Sequence, residues 1–287
     1  MKFESDIEAR LFIQSHSPIG DFDNLEIIDV YYILEDTFNS NSPIQFQDVI
    51  DNETLDQIPL FRIAEDLIKI VQREKQLKMT PKGALPRKYL IELYEKKHLL
   101  DEGIEAGISK LNREIDCISL LCVRLVTQLS SLIKKSNGAL TLTKSANKFL
   151  EKNDRAQIFK IFFKSFTTKY EWGLLDGFPL HSIGQIGWAY TCILLNKYGD
   201  IKKDVEFYSD KYAKAFPYYY SAFNEVSANS IFKFSDCYSL RTFERFLNWF
   251  GLVELDYKHK GYIKEINTVK LTELFDKLFK FKYAKQF

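Results

Sequence analysis

The side chains best placed to do chemistry in this 287-residue chain are two clusters of lysine and arginine. The first surrounds Leu77-Lys78-Met79-Thr80 and is interrupted by a single acid, Glu74. Its members are Arg73, Lys75, Lys78, Lys82, Arg87 and Lys88. Cations around a short strand and a turn suit contacts with phosphate, because each neutralised phosphate releases counterions. The cluster therefore predicts a nucleic-acid-binding surface, with an ordinary solvated basic loop as the alternative.

The second cluster lies near the C-terminus. Arg241 and Arg245 are four residues apart, which places them on one face of a predicted helix. Lys258, Lys260 and Lys264 follow on a predicted wing. In a helix-turn-helix unit the second helix enters the major groove and basic side chains contact phosphates. The pattern predicts a DNA-reading helix with a basic wing, and the alternative is a loop that its lysines merely keep soluble.

A threonine-containing strand motif that recurs three times indicates which elements position these clusters. The copies are Leu77-Lys78-Met79-Thr80, Leu140-Thr141-Leu142-Thr143 and Val269-Lys270-Leu271-Thr272. Apolar helical stretches lie before and after each copy, an order typical of winged-helix units. The threonines are separated by 143 − 80 = 63 and 272 − 143 = 129 residues, and the second interval is close to twice the first. This spacing gives weak support for a repeat.

Local patterns predict the bounds of several elements. An apolar stripe indicates a helix from Pro59 to about Glu74, and another amphipathic helix is predicted over Leu25–Leu34. Ala139–Leu142 is a predicted strand, and Thr143 is the predicted N-cap of the helix that follows it. Residues 1–22 are polar and have no periodic pattern, so a partly ordered arm is expected there.

The sequence contains no motif typical of catalysis or cofactor binding. It lacks a Gly-rich phosphate loop, a dinucleotide fingerprint and a nucleophile elbow, and its four histidines are scattered without metal-ligand spacing. Asp176 and His181 are close enough in sequence to suggest an acid–base pair, but a loop capped by a satisfied Asp is the favoured interpretation. We therefore predict no enzyme activity, no metal and no small-molecule cofactor.

Charge is distributed unevenly along the chain, although the formal net charge is only +1. Residues 1–66 carry 3 − 15 = −12, and residues 67–287 carry 37 − 24 = +13. The acidic segment is either a solvated face or a surface that competes for a basic surface in this chain or on a partner. The start of the chain is not a signal peptide, and no apolar run reaches the roughly 18 residues of a membrane span. These features favour a cytoplasmic protein without a membrane partner.

Three stretches of the sequence match a pattern seen in other proteins. They are Leu77–Arg87, Leu140–Lys144 and Arg241-x-x-x-Arg245-Phe246, the last continuing into Phe250-Gly251-Leu252-Val253. In these stretches the chain resembles uncharacterised bacterial proteins with repeated winged-helix-like segments. The resemblance covers most of residues 45–281, although Ala84 replaces an expected Asn and Ser145-Ala146 an expected Gly. It implies repeated winged-helix units and no particular chemistry.

Together these patterns predict a mainly α protein of tandem winged-helix-like units, which are helical bundles with small β-hairpin wings. The predicted division is an acidic arm and helix (1–44), unit 1 (45–110), unit 2 (111–170), a helical connector (171–230) and unit 3 (231–287). Unit 2, where Arg124 stands nearly alone, is expected to pack or dimerise. The favoured function is nucleic-acid binding, with DNA as the first target, in a regulatory or accessory role. The alternative is a protein-interaction scaffold that binds a protein partner or a second copy and no nucleic acid.

Overall fold

A computed structural model describes residues 6–260 and 263–283 of the chain. About half of the chain is helical, and the strands form small antiparallel sheets, so the mainly α class with some β structure is confirmed. The α-helices are α1 (Asp6–Ser15), α2 (Ile27–Glu35), α3 (Asn52–Asp56), α4 (Pro59–Glu74), α5 (Arg87–Tyr94), α6 (Glu102–Glu105), α7 (Ile118–Leu129), α8 (Lys144–Glu151), α9 (Arg155–Thr168), α10 (Trp188–Tyr198), α11 (Val205–Ala215), α12 (Pro217–Val226), α13 (Phe234–Ser239) and α14 (Glu273–Leu278). The strands are β1 (Pro18–Ile19), β2 (Leu25–Glu26), β3 (Ile44–Phe46), β4 (Leu77–Lys78), β5 (Ile133–Ser136), β6 (Ala139–Leu142), β7 (Lys203–Asp204), β8 (Val253–Lys260), β9 (Ile263–Leu271) and β10 (Phe279–Phe281). Short 3-10 helices cover Gly20–Phe22 and Glu114–Asp116, and a π-helix covers Leu240–Asn248.

The chain divides into two compact lobes. The central lobe consists of Val49–Glu171 together with Trp249–Gly251. The terminal lobe consists of the described residues up to Asp48, Trp172–Asn248 and the described residues from Leu252 onward. The predicted boundaries after residues 44 and 170 lie 48 − 44 = 4 residues and 171 − 170 = 1 residue from the lobe boundaries. The finer division into five segments stays a prediction.

The core of the central lobe is built around α4. The apolar stripe of this helix is at most 2% exposed and consists of Leu60, Ile63, Ala64, Leu67, Ile68 and Val71. Burial of one such Leu or Ile side chain contributes roughly 1.5–3 kcal/mol. α4 packs against α5 and α7, and α7 packs against α9, where aromatic rings fill the remaining space. The rings of Phe163 and Phe166 lie 5.1 and 5.0 Å from that of Phe250.

The core of the terminal lobe is built around α10, which is buried along most of its length. Tyr212 of α11 is fully buried, and its hydroxyl donates to the carbonyl of Ile186 (2.7 Å) while it accepts from the amide of Gly184 (3.0 Å). α2 and the π-helix carry further buried residues of this lobe, and β3 pairs with β10 at the side of the same core. The buried Tyr212 hydroxyl is therefore paired both as donor and as acceptor, as the low polarity of a protein core requires.

The two lobes repeat one order of elements. The central lobe runs α4, β4, α5, α7, β5 and β6, and its sheet has the order β4-β6-β5. The terminal lobe runs α10, β7, α11, further helices, β8 and β9, and its sheet has the order β7-β9-β8. The first helices begin 188 − 59 = 129 residues apart, and the threonines after the last strands are 272 − 143 = 129 residues apart. Thr80 follows the first strand of the central sheet, whereas Thr143 and Thr272 follow the last strands of the two sheets.

Predictions from local patterns had mixed outcomes. α4 has the predicted bounds, β6 is the predicted strand, and Thr143 caps α8 by accepting from the amide of Ala146 (3.2 Å). Within residues 1–22, where a partly ordered arm is predicted, α1 forms although the sequence has no periodic pattern there. The helix predicted from Leu25 begins only at Ile27, after β2. The predicted wing from Asp256 is strand as far as Lys260, and its tip at residues 261–262 lies outside the described residues.

Candidate nucleic-acid interface

The sheet of the central lobe brings two turns side by side. β6 pairs with β4 on one side and with β5 on the other. The amide of Met79 donates to the carbonyl of Gly138 (2.9 Å), so the segment that leaves β4 runs beside the tip of the β5–β6 hairpin. The tip consists of Asn137 and Gly138, whose φ angles of 48° and 73° suit Asn and Gly better than other residues.

Thr80 fixes the turn that follows β4. Its amide donates to the carbonyl of Ala84 (2.9 Å), and the amide of Ala84 donates to the Thr80 hydroxyl (3.0 Å). The amide of Gly83, where φ is 76°, donates to the Thr80 carbonyl (2.8 Å). Lys82 therefore stands at the apex of an ordered turn.

Four exposed lysines gather at these two turns, and we call them the hairpin lysine cluster: Lys78, Lys82, Lys134 and Lys135. The Lys135 Nζ atom lies 3.1 Å from the position that a Cβ atom would take at Gly83, next to Lys82. Within residues 6–260 and 263–283, none of the four forms an ion pair with a carboxylate. The cluster thus concentrates positive charge that the lobe itself does not neutralise.

The strand register places part of this cluster on one face of the sheet. Lys78 lies opposite Ala139, which in turn lies opposite Ser136. Residues directly opposite one another share a face, and Lys134 shares it too because it is two residues from Ser136. The other face carries Leu140 and its buried neighbours in the core. The sheet therefore carries Lys78 and Lys134 on one face, whereas Lys135, which lies opposite Leu140, belongs to the other face and reaches toward Gly83 at the end of the hairpin.

The remaining members of the first predicted cluster are engaged within the lobe or stand apart. Arg73 donates to both carboxylate oxygens of Glu92 (2.6 and 2.9 Å), and this pairing raises its pKa. Arg87 donates from Nε to the carbonyl of Leu111 (3.0 Å). The ammonium of Lys88 lies 4.4 Å from the ring centroid of Tyr89. Lys75 is exposed at the end of α4.

The helix that precedes the hairpin offers no free cation for reading bases. The basic residue of α7 is Arg124, which donates from Nε to Glu114 (2.7 Å) and from Nη1 to Gln128 (2.7 Å). Both members of the Arg124–Glu114 pair are largely buried. That unit 2 packs or dimerises stays a prediction, and its residues Lys134 and Lys135 belong to the hairpin lysine cluster.

Arg241 is not available to nucleic acid in the arrangement predicted for it, and Arg245 is half-buried with one of its donors engaged. The Arg241 side chain is fully buried and pairs with Asp176. It also donates to the carbonyl of Leu180 (2.7 Å), and Arg245 donates to the carbonyl of Leu174 (3.1 Å). Both arginines thus bind the loop that precedes α10. The prediction that Arg241 belongs to a DNA-reading helix face is therefore wrong. Its partner Asp176 lies 65 residues away in sequence, so no local pattern indicates this ion pair.

The β8–β9 hairpin carries the other predicted lysines. Lys258 is exposed and lies opposite Glu265, and Lys264 lies 3.7 Å from the ring centroid of Tyr257. The side chain of Lys260 lies outside the described residues. Opposite charges on facing strand positions attract each other. This hairpin is therefore closer to charge balance than the hairpin lysine cluster.

Acidic residues of the N-terminal segment form ion pairs inside each lobe. In the central lobe, Glu65 accepts from Nε and Nη2 of Arg155 (2.6 and 2.9 Å), which raises the pKa of Arg155. In the terminal lobe, Asp23 accepts from Lys197 and Lys211, and these bonds lower its pKa against the opposing effect of burial. The described acidic residues between residues 6 and 66 are therefore divided between the two lobes.

Features that would support other chemistry are sparse in the part of the chain that the structure describes. It holds no group of three or more His, Cys, Asp or Glu that could bind a metal. The terminal lobe has an aromatic cavity of about 140 Å³ beside Trp188 and an open one of about 480 Å³ beside His16, Glu26 and Asp29. None of the described helices is long and apolar enough to cross a membrane.

No protein-family model matches this chain, and comparisons with curated proteins and with solved structures find no match either. The likeness to bacterial winged-helix proteins therefore remains an interpretation of the sequence pattern. A function is therefore inferred from the positions and contacts of this chain's own residues.

Proposed function

We propose that the protein binds nucleic acid, with duplex DNA as the first target, through the hairpin lysine cluster of the central lobe. The observation that carries the proposal is that four exposed lysines lie on one small sheet and its turns, and that none of them forms an ion pair in the described part of the chain. Phosphate contacts supply most of the affinity of non-specific nucleic-acid binding, and they need exposed cations rather than a particular base-reading helix. A regulatory or accessory role in the cytoplasm is part of this proposal.

Each lobe is a winged-helix-like unit in this proposal, so the chain has two such units rather than three. Support comes from the repeated order of helix, strand, helices and hairpin, and from sheets in which the last strand lies in the middle. In the central unit the β5–β6 hairpin is the wing. The terminal unit has the longer β8–β9 hairpin, where Lys258 and Lys264 remain secondary candidates for phosphate contact.

The contacts of α7 favour binding with little sequence preference. Base edges are read by side chains that reach into a groove, and Arg124 is held by Glu114 and Gln128. Lysines that contact phosphates fix position without reading sequence. The proposed mechanism is therefore electrostatic anchoring of the phosphate backbone by the wing, with its turns held in place by Thr80 and Gly138.

The direct test is a fluorescence-anisotropy titration of the full chain with two duplexes of unrelated sequence at several salt concentrations. Four phosphate contacts predict that log Kobs falls with log salt with a slope of about −3 to −4, and that the two duplexes bind alike. Single-stranded DNA and RNA are titrated in parallel to identify the preferred form. Absence of binding to all of them at low salt, or binding without salt dependence, would exclude the proposal.

A second candidate function, protein interaction, is favoured by a separate observation. α2 carries exposed apolar residues in a helical stripe, although other residues of the same helix are buried in the terminal lobe. This surface is apolar, whereas the hairpin lysine cluster is positively charged. In the alternative function the chain binds a protein through such a surface and binds no nucleic acid.

A further inference from the structure

The terminal lobe has an unpartnered apolar stripe on α2. Ile27, Tyr31 and Leu34 are 40%, 54% and 38% exposed, whereas Val30 and Ile33 of the same helix are buried. The exposed residues are separated by four and three positions, so they form one line along the helix. The line is about 10 Å long, because a helix rises about 1.5 Å per residue. This length matches about two turns of a second helix.

The neighbouring helix extends the exposed apolar surface. α1 packs against α2 and exposes Ile7 and Leu11, one helical turn apart, at 70% and 60%. α2 is held from its buried side by α10. Single exposed apolar residues are ordinary, but an ordered stripe together with a second exposed pair on a packed helix marks an interaction surface.

The charge of this region identifies the kind of partner. Residues 6–48 contain one arginine, Arg10, and nine Asp or Glu residues. Of the nine, Asp23 and Asp48 pair with lysines of the terminal lobe. Glu35 and Asp36 are exposed directly beyond the end of the stripe, whereas Glu26, which precedes its first residue, is half-buried and lies 3.9 Å from the His16 ring. The apolar stripe is thus bordered by exposed negative charge at its C-terminal end.

We infer that this stripe is the docking site for a cationic amphipathic helix of a partner protein. Such a helix would place leucine-like side chains against Ile27, Tyr31 and Leu34, and its lysines or arginines against the acidic border. Nucleic acid and anionic lipid are repelled by the same border. A second copy of this chain would set acidic borders against each other, which opposes self-association.

The probe is a fluorescein-labelled peptide of leucine and lysine, about 14 residues or four helical turns long, with leucine at i, i+3, i+4 and i+7. Two control peptides are used. The first contains the same leucines and lysines in scrambled order, and the second keeps the leucine pattern but has glutamate in place of each lysine. The full chain is expected to bind the first peptide at least about tenfold more tightly than either control. Circular dichroism is expected to show that the peptide becomes helical on binding.

The decisive variant replaces Ile27, Tyr31 and Leu34 with Gln, which is expected to weaken peptide binding at least about tenfold. The matched control replaces Ile108, Ile201 and Ile231, which are equally or more exposed, with Gln and leaves binding unchanged. All six side chains are exposed, so thermal unfolding is expected to match that of the wild type and to show that each variant folds. Glu35→Gln with Asp36→Asn is expected to weaken binding severalfold and to reduce its salt dependence.

Three outcomes would overturn the inference. Equal binding of the amphipathic and scrambled peptides would show that charge alone attracts them. Equal binding by the wild type and the Ile27, Tyr31 and Leu34 variant would place the peptide elsewhere. Sedimentation that shows self-association of the wild type and its loss in that variant would identify a second copy as the occupant. Because these experiments contain no nucleic acid, their failure leaves the proposed DNA binding to its own test.

Discussion

The guanidinium of Arg241 and the carboxylate of Asp176 form a two-point ion pair inside the terminal lobe. Nε donates to Oδ2 at 2.6 Å and Nη2 donates to Oδ1 at 3.1 Å, and neither side chain is exposed. Gly173 makes room for this pair, since a Cβ atom there would lie 2.9 Å from Nη2. The pair ties the π-helix to the loop before α10, so Arg241 stabilises the lobe and does not serve as a phosphate ligand.

Removal of one partner of this pair should be strongly destabilising. Arg241→Met or Asp176→Asn leaves a buried charge or polar group without its partner, and we expect each to lower the free energy of unfolding by about 3–5 kcal/mol. The double variant should be less destabilised than the sum of the two. Urea unfolding followed by tryptophan fluorescence measures all three. A loss below about 1 kcal/mol for each single variant would contradict a buried, mutually dependent pair.

Asp29 should make stability depend on pH. Burial, and secondarily the charge of Glu26, raise its pKa from 3.8 to about 6, against the smaller opposing effects of His16 and Lys197. The folded state then binds more protons than the unfolded state between about pH 4 and 6, so stability falls as the pH rises through that window. Asp29→Asn removes this effect.

We expect Asp29→Asn to be more stable than the wild type at pH 7.5 by about 1 kcal/mol, after allowance for solvent screening, and equally stable near pH 4. Urea unfolding at the two pH values measures the difference. A constant difference between the variant and the wild type at both would show that Asp29 does not titrate in this window.

The N-cap of α8 gives a test of local structure. Thr143→Ala removes the acceptor for the Ala146 amide and should lower the free energy of unfolding by about 1 kcal/mol, whereas Thr143→Ser keeps an acceptor and should cost less. Thermal unfolding compares the two variants. Equal losses would mean that the methyl group, and not the cap, is responsible.

The turn that carries Lys82 can be tested with a pair of glycines. Gly83 and Gly107 both lie in the central lobe and have φ angles of 76° and 70°. Alanine at either position is strained and should cost about 1 kcal/mol of stability. Only Gly83→Ala should also lower DNA affinity, because Gly83 is next to Lys82 and Lys135 while Gly107 has open space around it. If DNA affinity falls equally in both variants, the loss comes from destabilisation of the whole central lobe and not from the turn at Gly83.

Local sequence signals predicted part of this fold. The bounds of α4 and the cap at Thr143 follow from an apolar stripe and a hydroxyl before a helix, both of which act within a few residues. The pairing of β4 with β6 could not be predicted from local sequence patterns, because it joins residues about 60 positions apart. A strand of two residues is also too short to show an alternating pattern.

The same limit applies to the candidate site. Lys78 and Lys82 were identified by their local density of charge, but Lys134 and Lys135 join them only through that sheet. From its sequence position, Arg241 is predicted to contact DNA from a recognition helix. In the structure it is buried in an ion pair with Asp176. A high local density of lysine and arginine thus indicates candidate phosphate-binding residues. Carboxylates and strands that are distant in sequence determine which of these residues stay exposed.

The central claim is that the hairpin lysine cluster anchors phosphates, and its most direct test is a comparison of two salt titrations with duplex DNA. One variant changes Lys78, Lys82, Lys134 and Lys135 to Gln. The matched control changes four other exposed lysines of the central lobe to Gln, namely Lys110, Lys144, Lys148 and Lys152, and so alters the net charge equally. We predict that the first variant loses about 3–4 from the magnitude of the slope of log Kobs against log salt, while the control keeps nearly the wild-type slope. Equal slopes for the two variants would contradict the account.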